Sequence, residues 1–324
     1  MQYFSDAACP DDVNVPTEDA DGWMWYPNER WVYNKLAVAQ SQGIAAAPHG
    51  VMPSAFPIFS KPIINLRGMG TGSRVIDSAD DYRRHLSPGH FWMELLRGDH
   101  VSTDVAVCAG QAVWWRHATG IPRRGGTFDY WVVHAEAMPS IEVACSAWIA
   151  KNLPQYTGML NLETIGGRII EVHLRFADQW PDLYGDGWVA ALIELYATRR
   201  WTFPDRVRRT GYSVVLFGPN GRRYNHPDAS VVDELLTRPG ISSVQITFHE
   251  DREPRLHAMP PGGFRLAIVN CADLEAGRAA RSVLRAALLQ SGEAMPRRRA
   301  GRDRAVVPLV REGTRVNEGV GADG

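Results

Sequence analysis

Two stretches of this chain alternate apolar and polar residues on either side of a two-residue turn, and a helical pattern lies between them. Residues 101–119, VSTDVAVCAGQAVWWRHAT, turn at Ala109-Gly110, and residues 156–176, YTGMLNLETIGGRIIEVHLRF, turn at Gly166-Gly167. Period-two alternation gives each strand one face for a core, and a tight glycine-bearing turn joins antiparallel neighbours. Between the two, PSIEVACSAWIAKNL sets Ile141, Cys145, Trp148, Ile149 and Leu153 on one helical face, with Pro139 near the start. Hairpin, helix and hairpin thus place strands and a helix together in one stretch of the chain.

The flanking segments extend that pattern. NERWVYNKLAVAQSQG (28–43) predicts a helix with Asn28 as cap and Gly43 closing it. IAAAP (44–48) reads as a short extended piece, FPIFSKPII (56–64) as a β-rich run, SRVI (73–76) and FWMELL (91–96) as strands. DSADDYRRHL (77–86) opens a helix with Ser78 and Asp81 three residues apart, a capping-box arrangement. GIPRRGGTFDYW (120–131) is expected to be a loop, and residues 186–199 an apolar helix. After about residue 200, YSVVLFG, SVQITFHE and FRLAIVNCA predict three more strands and LEAGRAARSVLRAALLQ a closing amphipathic helix. Residues 1–30 lack periodicity and read as an arm pinned by Trp23 and Trp25; the arginine- and glycine-rich stretch 296–324 is expected to be a disordered tail.

Composition narrows the function classes. The net charge is −1 over 324 residues, so no global field draws the chain to nucleic acid or an anionic membrane. No apolar run is long enough to span a bilayer, and the acidic start lacks the basic-then-apolar order of a signal peptide, which predicts a cytoplasmic protein. Four scattered cysteines, Cys9, Cys108, Cys145 and Cys271, show no ligand spacing and argue against a zinc site or a disulfide framework. The lysine usage is more informative: among 35 basic residues only Lys35, Lys61 and Lys151 are lysine. Lysine offers a compact ammonium where arginine offers a planar fork, so a chain this rich in arginine keeps lysine where the ammonium is needed, or mutational bias has thinned it.

Lys61 stands directly before a glycine-rich stretch, KPIINLRGMGTGSRVI (61–76), with Gly68, Gly70 and Gly72 spaced two apart. Such a loop either presents backbone N–H groups to phosphate oxygens, which glycine permits by lacking a Cβ, or is a plain hairpin turn. A resemblance favours the first, because two of the three lysines fall on the positions that it matches. A helix carrying Lys35, a strand carrying Lys61, the glycine loop, the strand FWMELL and the two hairpins resemble the ATP-grasp superfamily over residues 31–195. EVHLRFADQW (171–180) is similar to the Glu-x-Asn-x-Arg-Phe-Gly-Asp element of its phosphoribosylglycinamide synthetase branch. GGFRLAIVNCADLEAGRAARSVLRAAL (262–288) resembles the last lobe shared by that branch and by biotin carboxylase.

The resemblance implies two α+β lobes clamping ATP, with residues 31–200 as the nucleotide-binding domain (small lobe about 53–93) and 201–295 as a C-terminal lobe. It assigns the α- and β-phosphates to Lys35 and Lys61 and the phosphate loop to Gly68, Gly70, Thr71, Gly72 and Ser73, with Arg67 as an added contact. The adenine edge falls to the backbone around Glu94 and Leu95, and the ribose to Asp99 or His100. For Mg²⁺, with Mn²⁺ as the alternative, the matched positions are Glu171, His173 where relatives carry Asn, and Asn161 or Glu163 upstream. On the pleat, Glu171 and His173 share a face, as do Asn161 and Glu163. An imidazole suits transition metals better than Mg²⁺. Arg175 matches the arginine that faces an acyl-phosphate or a carboxylate, with Asp178 to orient it. Arg123 and Arg124 lie in what is either a lid delivering charge to the γ-phosphate or a solvated basic turn.

The implied activity is an ATP- and Mg²⁺-dependent ligase that activates a small-molecule carboxylate as acyl-phosphate for attack by an amine, releasing ADP and phosphate. A catalytically reduced nucleotide-binding subunit is the second implied class. Only some thirty residues precede the Lys35 helix, where relatives carry a lobe of about a hundred. The missing surface would come from a partner protein, a homodimer or the C-terminal lobe.

Overall fold

In a computed structural model that describes residues 7–66, 70–123, 126–253, 257, 262–290 and 293–294, the described residues form seven α-helices and fourteen strands, most of them where the patterns above place them. Gly68, Arg67, Arg124 and the tail 296–324 lie outside the described residues. The helices are α1 (Asp19–Trp25), α2 (Lys35–Ser41), α3 (Ala79–Arg84), α4 (Pro139–Asn152), α5 (Trp188–Thr198), α6 (Ala229–Leu236) and α7 (Leu274–Gln290). The strands are β1 (Ala46–Pro48), β2 (Ile58–Pro62), β3 (Arg74–Ile76), β4 (His90–Glu94), β5 (His100–Cys108), β6 (Gln111–Arg123), β7 (Thr127–Val133), β8 (Gly158–Ile165) and β9 (Arg168–His173). They continue with β10 (Gly211–Gly218), β11 (Arg222–Arg223), β12 (Ile241–Ile246), β13 (Phe264–Cys271) and β14 (Glu293–Ala294). Among the described residues no helix is long and apolar enough to cross a membrane.

A four-stranded sheet, β1-β4-β2-β3, and an eight-stranded sheet, β12-β13-β10-β7-β6-β5-β8-β9, are antiparallel at every pairing. The strands after residue 200 extend the larger sheet, because β10 pairs with β7 from Gly211↔Val133 to Val214↔Tyr130. Both expected hairpins form. Their turn residues have positive φ, Ala109 and Gly110 at 47° and 76°, Gly166 and Gly167 at 55° and 77°. This is the primed-turn geometry that matches strand twist. Gly110 is also needed for space, since a Cβ there would sit 2.5 Å from the Pro154 carbonyl oxygen.

Period two sorts the two faces of the large sheet. Val101, Val105 and Val107 of β5 pack with Leu160, Leu162 and Val172 under α4, whose five expected apolar positions are all buried. The other face carries Ala106, Trp114, Trp131 and Val133, covered by Phe176, Trp180, Tyr184 and by Trp188 and Leu192 of α5. Trp114 and Trp131 are thereby core residues. Phe91 and Met93 of the small sheet pack on Ala39 and Ile44, while Ile58, Ile76 and Trp92 pack on Tyr82 of α3 on its reverse face.

Three local expectations are corrected. Residues 19–25 form α1 inside the expected arm, because Glu18 and Asp21 make a reciprocal capping box there. The helix expected to start at Asn28 is a 3-10 helix, Arg30–Tyr33, followed by α2; Asn34 is the cap, its Oδ1 accepting from Ala37 N at 3.0 Å. Within GIPRRGGTFDYW, residues 120–123 and 127–131 are paired strands rather than loop, with exposed Arg123 opposite Thr127 in the β6–β7 ladder.

Candidate functional site

The open edge of the large sheet gathers polar side chains on one face. Across β8 and β9 the register pairs Asn161 with His173 and Glu163 with Glu171. Across β5 and β8 it pairs Ser102 with Glu163 and Asp104 with Asn161. Residues directly opposite on antiparallel strands share a face, so the six form two adjoining rows.

Both lysines reach this patch from separate elements. Lys35 begins α2, and its backbone N–H donates to Ile63 O at 2.9 Å, which ties the helix start to the chain just after Lys61. Its Nζ lies 2.6 Å from Glu171 Oε1. Lys61 on β2 donates from Nζ to Ile170 O at 2.8 Å and lies over the Phe91 ring. Both are buried, Lys35 at 6% and Lys61 at 5% exposure, whereas Lys151 is exposed at the end of α4. Burial, with the nearby Lys35 charge, pulls the Lys61 ammonium down to about 8, although Glu171 pulls the other way. Two of the chain's three lysines therefore converge on β9.

Beyond β9 the network continues through a residue that the sequence reading missed. Asp19, the first residue of α1, is 5% exposed. Its Oδ1 accepts from Arg175 Nε at 2.8 Å and meets His173 Nδ1 at 2.8 Å. Burial alone would raise this carboxyl, but His173 and Arg175 hold it well below the usual carboxylate range. Arg175 also donates from Nη1 to Phe176 O at 3.0 Å. Asp19 was legible in one respect only: Glu18 and Asp21 before Trp23 are a helix-start signal.

Asp104 is the second missed residue. Fully inside, it accepts from Asn161 Nδ2 (2.8 Å), Tyr184 Oη (2.7 Å) and Ala177 N (2.9 and 3.0 Å). Burial outweighs these bonds and raises its carboxyl to about 6. A lone carboxylate in the alternating strand VSTDVAVC, on the side away from the valines, was the available signal.

The remaining candidates divide. His100 Nε2 meets Glu163 Oε2 at 3.0 Å, while the Asp99 side chain is exposed, so His100 is the one in contact with the patch. Burial opposes a charged His100 ring, but Glu163 outweighs it and raises the imidazole. In return, His100, His173 and Lys35 hold Glu163 down at about 2 against its own burial. Glu94 is exposed and its N–H is already given to Ala45 O; Leu95 is half-buried beside it. Gly70, Thr71 and Gly72 are exposed and Ser73 is half-buried in a turn before β3, with φ of 59° at Gly70 and 80° at Gly72 and Ser73 N bonded to Gly70 O. Nothing brings Arg123 to the patch.

The proposed metal ligands Asn161, Glu163, Glu171 and His173 share one face, yet each faces a protein partner. Glu171 holds Lys35, Glu163 holds His100, His173 holds Asp19, and Asn161 donates to Ser102 and Asp104. Among the described residues no three His, Cys, Asp or Glu side chains are grouped to hold a metal ion. As arranged, the set does not fit an octahedral oxygen cage.

No family model and no curated protein sequence matches the chain. Solved structures do. The chain is similar to an L-amino acid ligase from Bacillus licheniformis, with TM-score 0.56 and 13% identity over 82% of this chain and 73% of that one. It is similar to a carboxyaminoimidazole ribonucleotide synthase from Aspergillus clavatus complexed with ATP (TM-score 0.55, 11% identity, 82% and 75% covered). A phosphoribosylamine–glycine ligase from Thermotoga maritima matches with TM-score 0.55 and 16% identity, over 80% and 77% of the two chains. At such identities the likeness is one of fold.

Proposed function

The chain has the ATP-grasp fold, and on that premise we propose that it is an ATP-dependent ligase joining a carboxylate to an amine. The observation that carries this reading is the meeting of Lys35 and Lys61, from different elements, on β9 beside Arg175.

Phosphoryl transfer needs positioning and countercharge more than covalent chemistry. Lys35 and Lys61 supply two ammonium groups to the triphosphate once it displaces their present acceptors, Glu171 and Ile170 O. The glycine turn 70–73, with Gly68 before it, offers backbone N–H groups to the phosphate oxygens, and the strand end around Glu94 and Leu95 takes the adenine edge. His100 stands where a ribose hydroxyl would be met, with Asp99 as the alternative. A carboxylate oxygen attacks the γ-phosphorus and ADP leaves. The amine then attacks the acyl carbon and phosphate leaves, the amine losing its proton to solvent or base. The planar fork of Arg175 suits the acyl-phosphate formed between these steps.

A second reading, a nucleotide-binding subunit without turnover, is favoured by the paired state of Glu163, Glu171 and His173. The two separate by experiment. Both readings expect ATP to raise the melting temperature of the native chain and Lys61→Ala to remove that rise. ADP and phosphate released only with a matched carboxylate and amine support the ligase. ATP binding without release under any pair supports the subunit, and an undiminished thermal shift in Lys61→Ala refutes the site.

A further inference from the structure

The α1 segment enters the candidate site from outside the sheet, and its contact there is an anion seated on Arg175, the residue that the ligase reading gives to an anion, and on the neighbouring His173. Asp19 Oδ1 takes both the Arg175 Nε and the His173 Nδ1 contacts at 2.8 Å. Around it stand the basic side chains Lys35, Lys61 and Arg175, the imidazoles His100 and His173, and the carboxylates Glu163 and Glu171, with Asp104 behind them. While Asp19 is in place its carboxylate offsets one of these positive charges, and a polyanion meets a weaker attraction there.

Gly22 explains how α1 is held. It is one turn from Asp19 on the same face, and it is packed so closely that a Cβ would lie 2.3 Å from Tyr33 Oη and 3.0 Å from Leu174 Cβ. The Tyr33 hydroxyl in turn accepts from Leu174 N at 3.2 Å, at the end of β9. The opposite end of the segment has weaker anchorage: Met24 is 63% and Trp25 37% exposed. The helix is thus docked through Gly22, the Asp19 carboxylate and the half-buried Trp23 ring, whose centroid lies 5.9 Å from that of Tyr33.

We propose that α1 is an intramolecular gate in which Asp19 occupies the anion place of the site and must leave Arg175 and His173 before a substrate phosphate or carboxylate can take it. The proposal rests on the functional reading above for what the anion is, but not for whether the gate exists. Displacing Asp19 removes one negative charge and frees one guanidinium. A substrate that binds by displacing it binds less tightly than the bare site would allow, by the population of the open form.

Inorganic tripolyphosphate is the probe that separates gate from function, with ATP run beside it, on the full chain. Asp19→Asn keeps the shape of the side chain and removes its charge; Gly22→Ala sets a methyl against Tyr33 and Leu174 and so forces α1 outward while keeping the Asp19, His173 and Arg175 side chains themselves. Both variants should bind tripolyphosphate roughly tenfold or more tightly than the parent, the size of one partly screened charge at close range. In the parent, tripolyphosphate should speed hydrogen exchange of the backbone amides of residues 20–25. A structural role for Asp19 predicts the reverse: weaker tripolyphosphate binding in both variants, as Arg175 loses its support, and slower or unchanged exchange in α1. Either of those results overturns the gate. Tight tripolyphosphate binding by the variants with no ATP binding keeps the gate and refutes the nucleotide reading. Absence of binding of both compounds to all three proteins overturns the two together.

Discussion

Raising the pH through the titration of Lys61 should weaken ATP binding, by an amount that its environment fixes. The side chain is 5% exposed and its ammonium is held at about 8 against an ordinary 10.5. The difference, 10.5 − 8, corresponds to about 3 kcal/mol of cost to keep the charge inside. The linkage has a definite sign. Between these two values the folded chain binds fewer protons than the unfolded one, so the Lys61 contribution to stability improves as pH rises through the window, and the full cost stands below pH 8. A phosphate placed against Nζ favours the ammonium and raises its pKa, so binding above pH 8 must take up a proton. Affinity should be level up to pH 7.5 and then fall, approaching about tenfold per pH unit above 8. Calorimetric titration with ATP in two buffers of different ionisation enthalpy reads the proton directly: near zero taken up at pH 7, and most of one at pH 8.7. Lys61→Arg, charged throughout, should lose the dependence. Equal affinity from pH 7 to 9.5 with no buffer-dependent heat would show that Lys61 does not face the phosphates.

Gly110→Ala should lower the melting temperature clearly, at a cost of about 2 kcal/mol or more, because the residue is left-handed and its new methyl would enter the Pro154 backbone. Asp104→Asn opposes an amide N–H₂ to the donors from Asn161, Tyr184 and Ala177. Urea unfolding should show a loss of about 1–3 kcal/mol. The same substitution should remove a stability term that is present below pH 3.8 and lost as pH rises through 6, since the folded carboxyl is held at about 6. In native protein a thiol reagent should label exposed Cys9 first and Cys108 more slowly. Cys145 and Cys271, whose thiols burial pushes up to about 12, should react only in denaturant; labelling of all four at one rate would contradict the packing of α4 around Cys145 and of α7 over Cys271.

Sequence periodicity located the elements that build the sheet because those signals are local. The turns at Ala109-Gly110 and Gly166-Gly167, the five buried positions of α4 and the Ser78 cap of α3 each depend on residues within a few positions. The pleat argument also placed Glu171 with His173 and Asn161 with Glu163, since a strand fixes which neighbours share a face. Misplaced starts have a local cause too. Asn28 and Asn34 are equally good caps by residue type, and the 3-10 helix between them satisfies the same apolar spacing for one turn. GIPRRGG reads as a loop because its glycines and proline outweigh a short ladder that only its partner strand reveals.

Partners separated along the chain obey no such rule, and the charge balance of the site is made of them. Lys35 finds Glu171 at a sequence separation of 136 (171 − 35), and Asp19 finds His173 at a separation of 154. A motif comparison names His173 as a metal ligand because a glutamate stands two residues before it. Its Nδ1 instead faces a carboxylate supplied by a helix that the sequence shows only as an acidic arm. A buried carboxylate is tolerated there only because Arg175 and His173 meet it together, and the same pairing lowers the electrostatic pull of both toward any other anion. Motif residues thus define what a site can hold, and the long-range partner decides whether it holds it at rest. Asp19 is the residue whose removal alters that second property while leaving the motif residues intact.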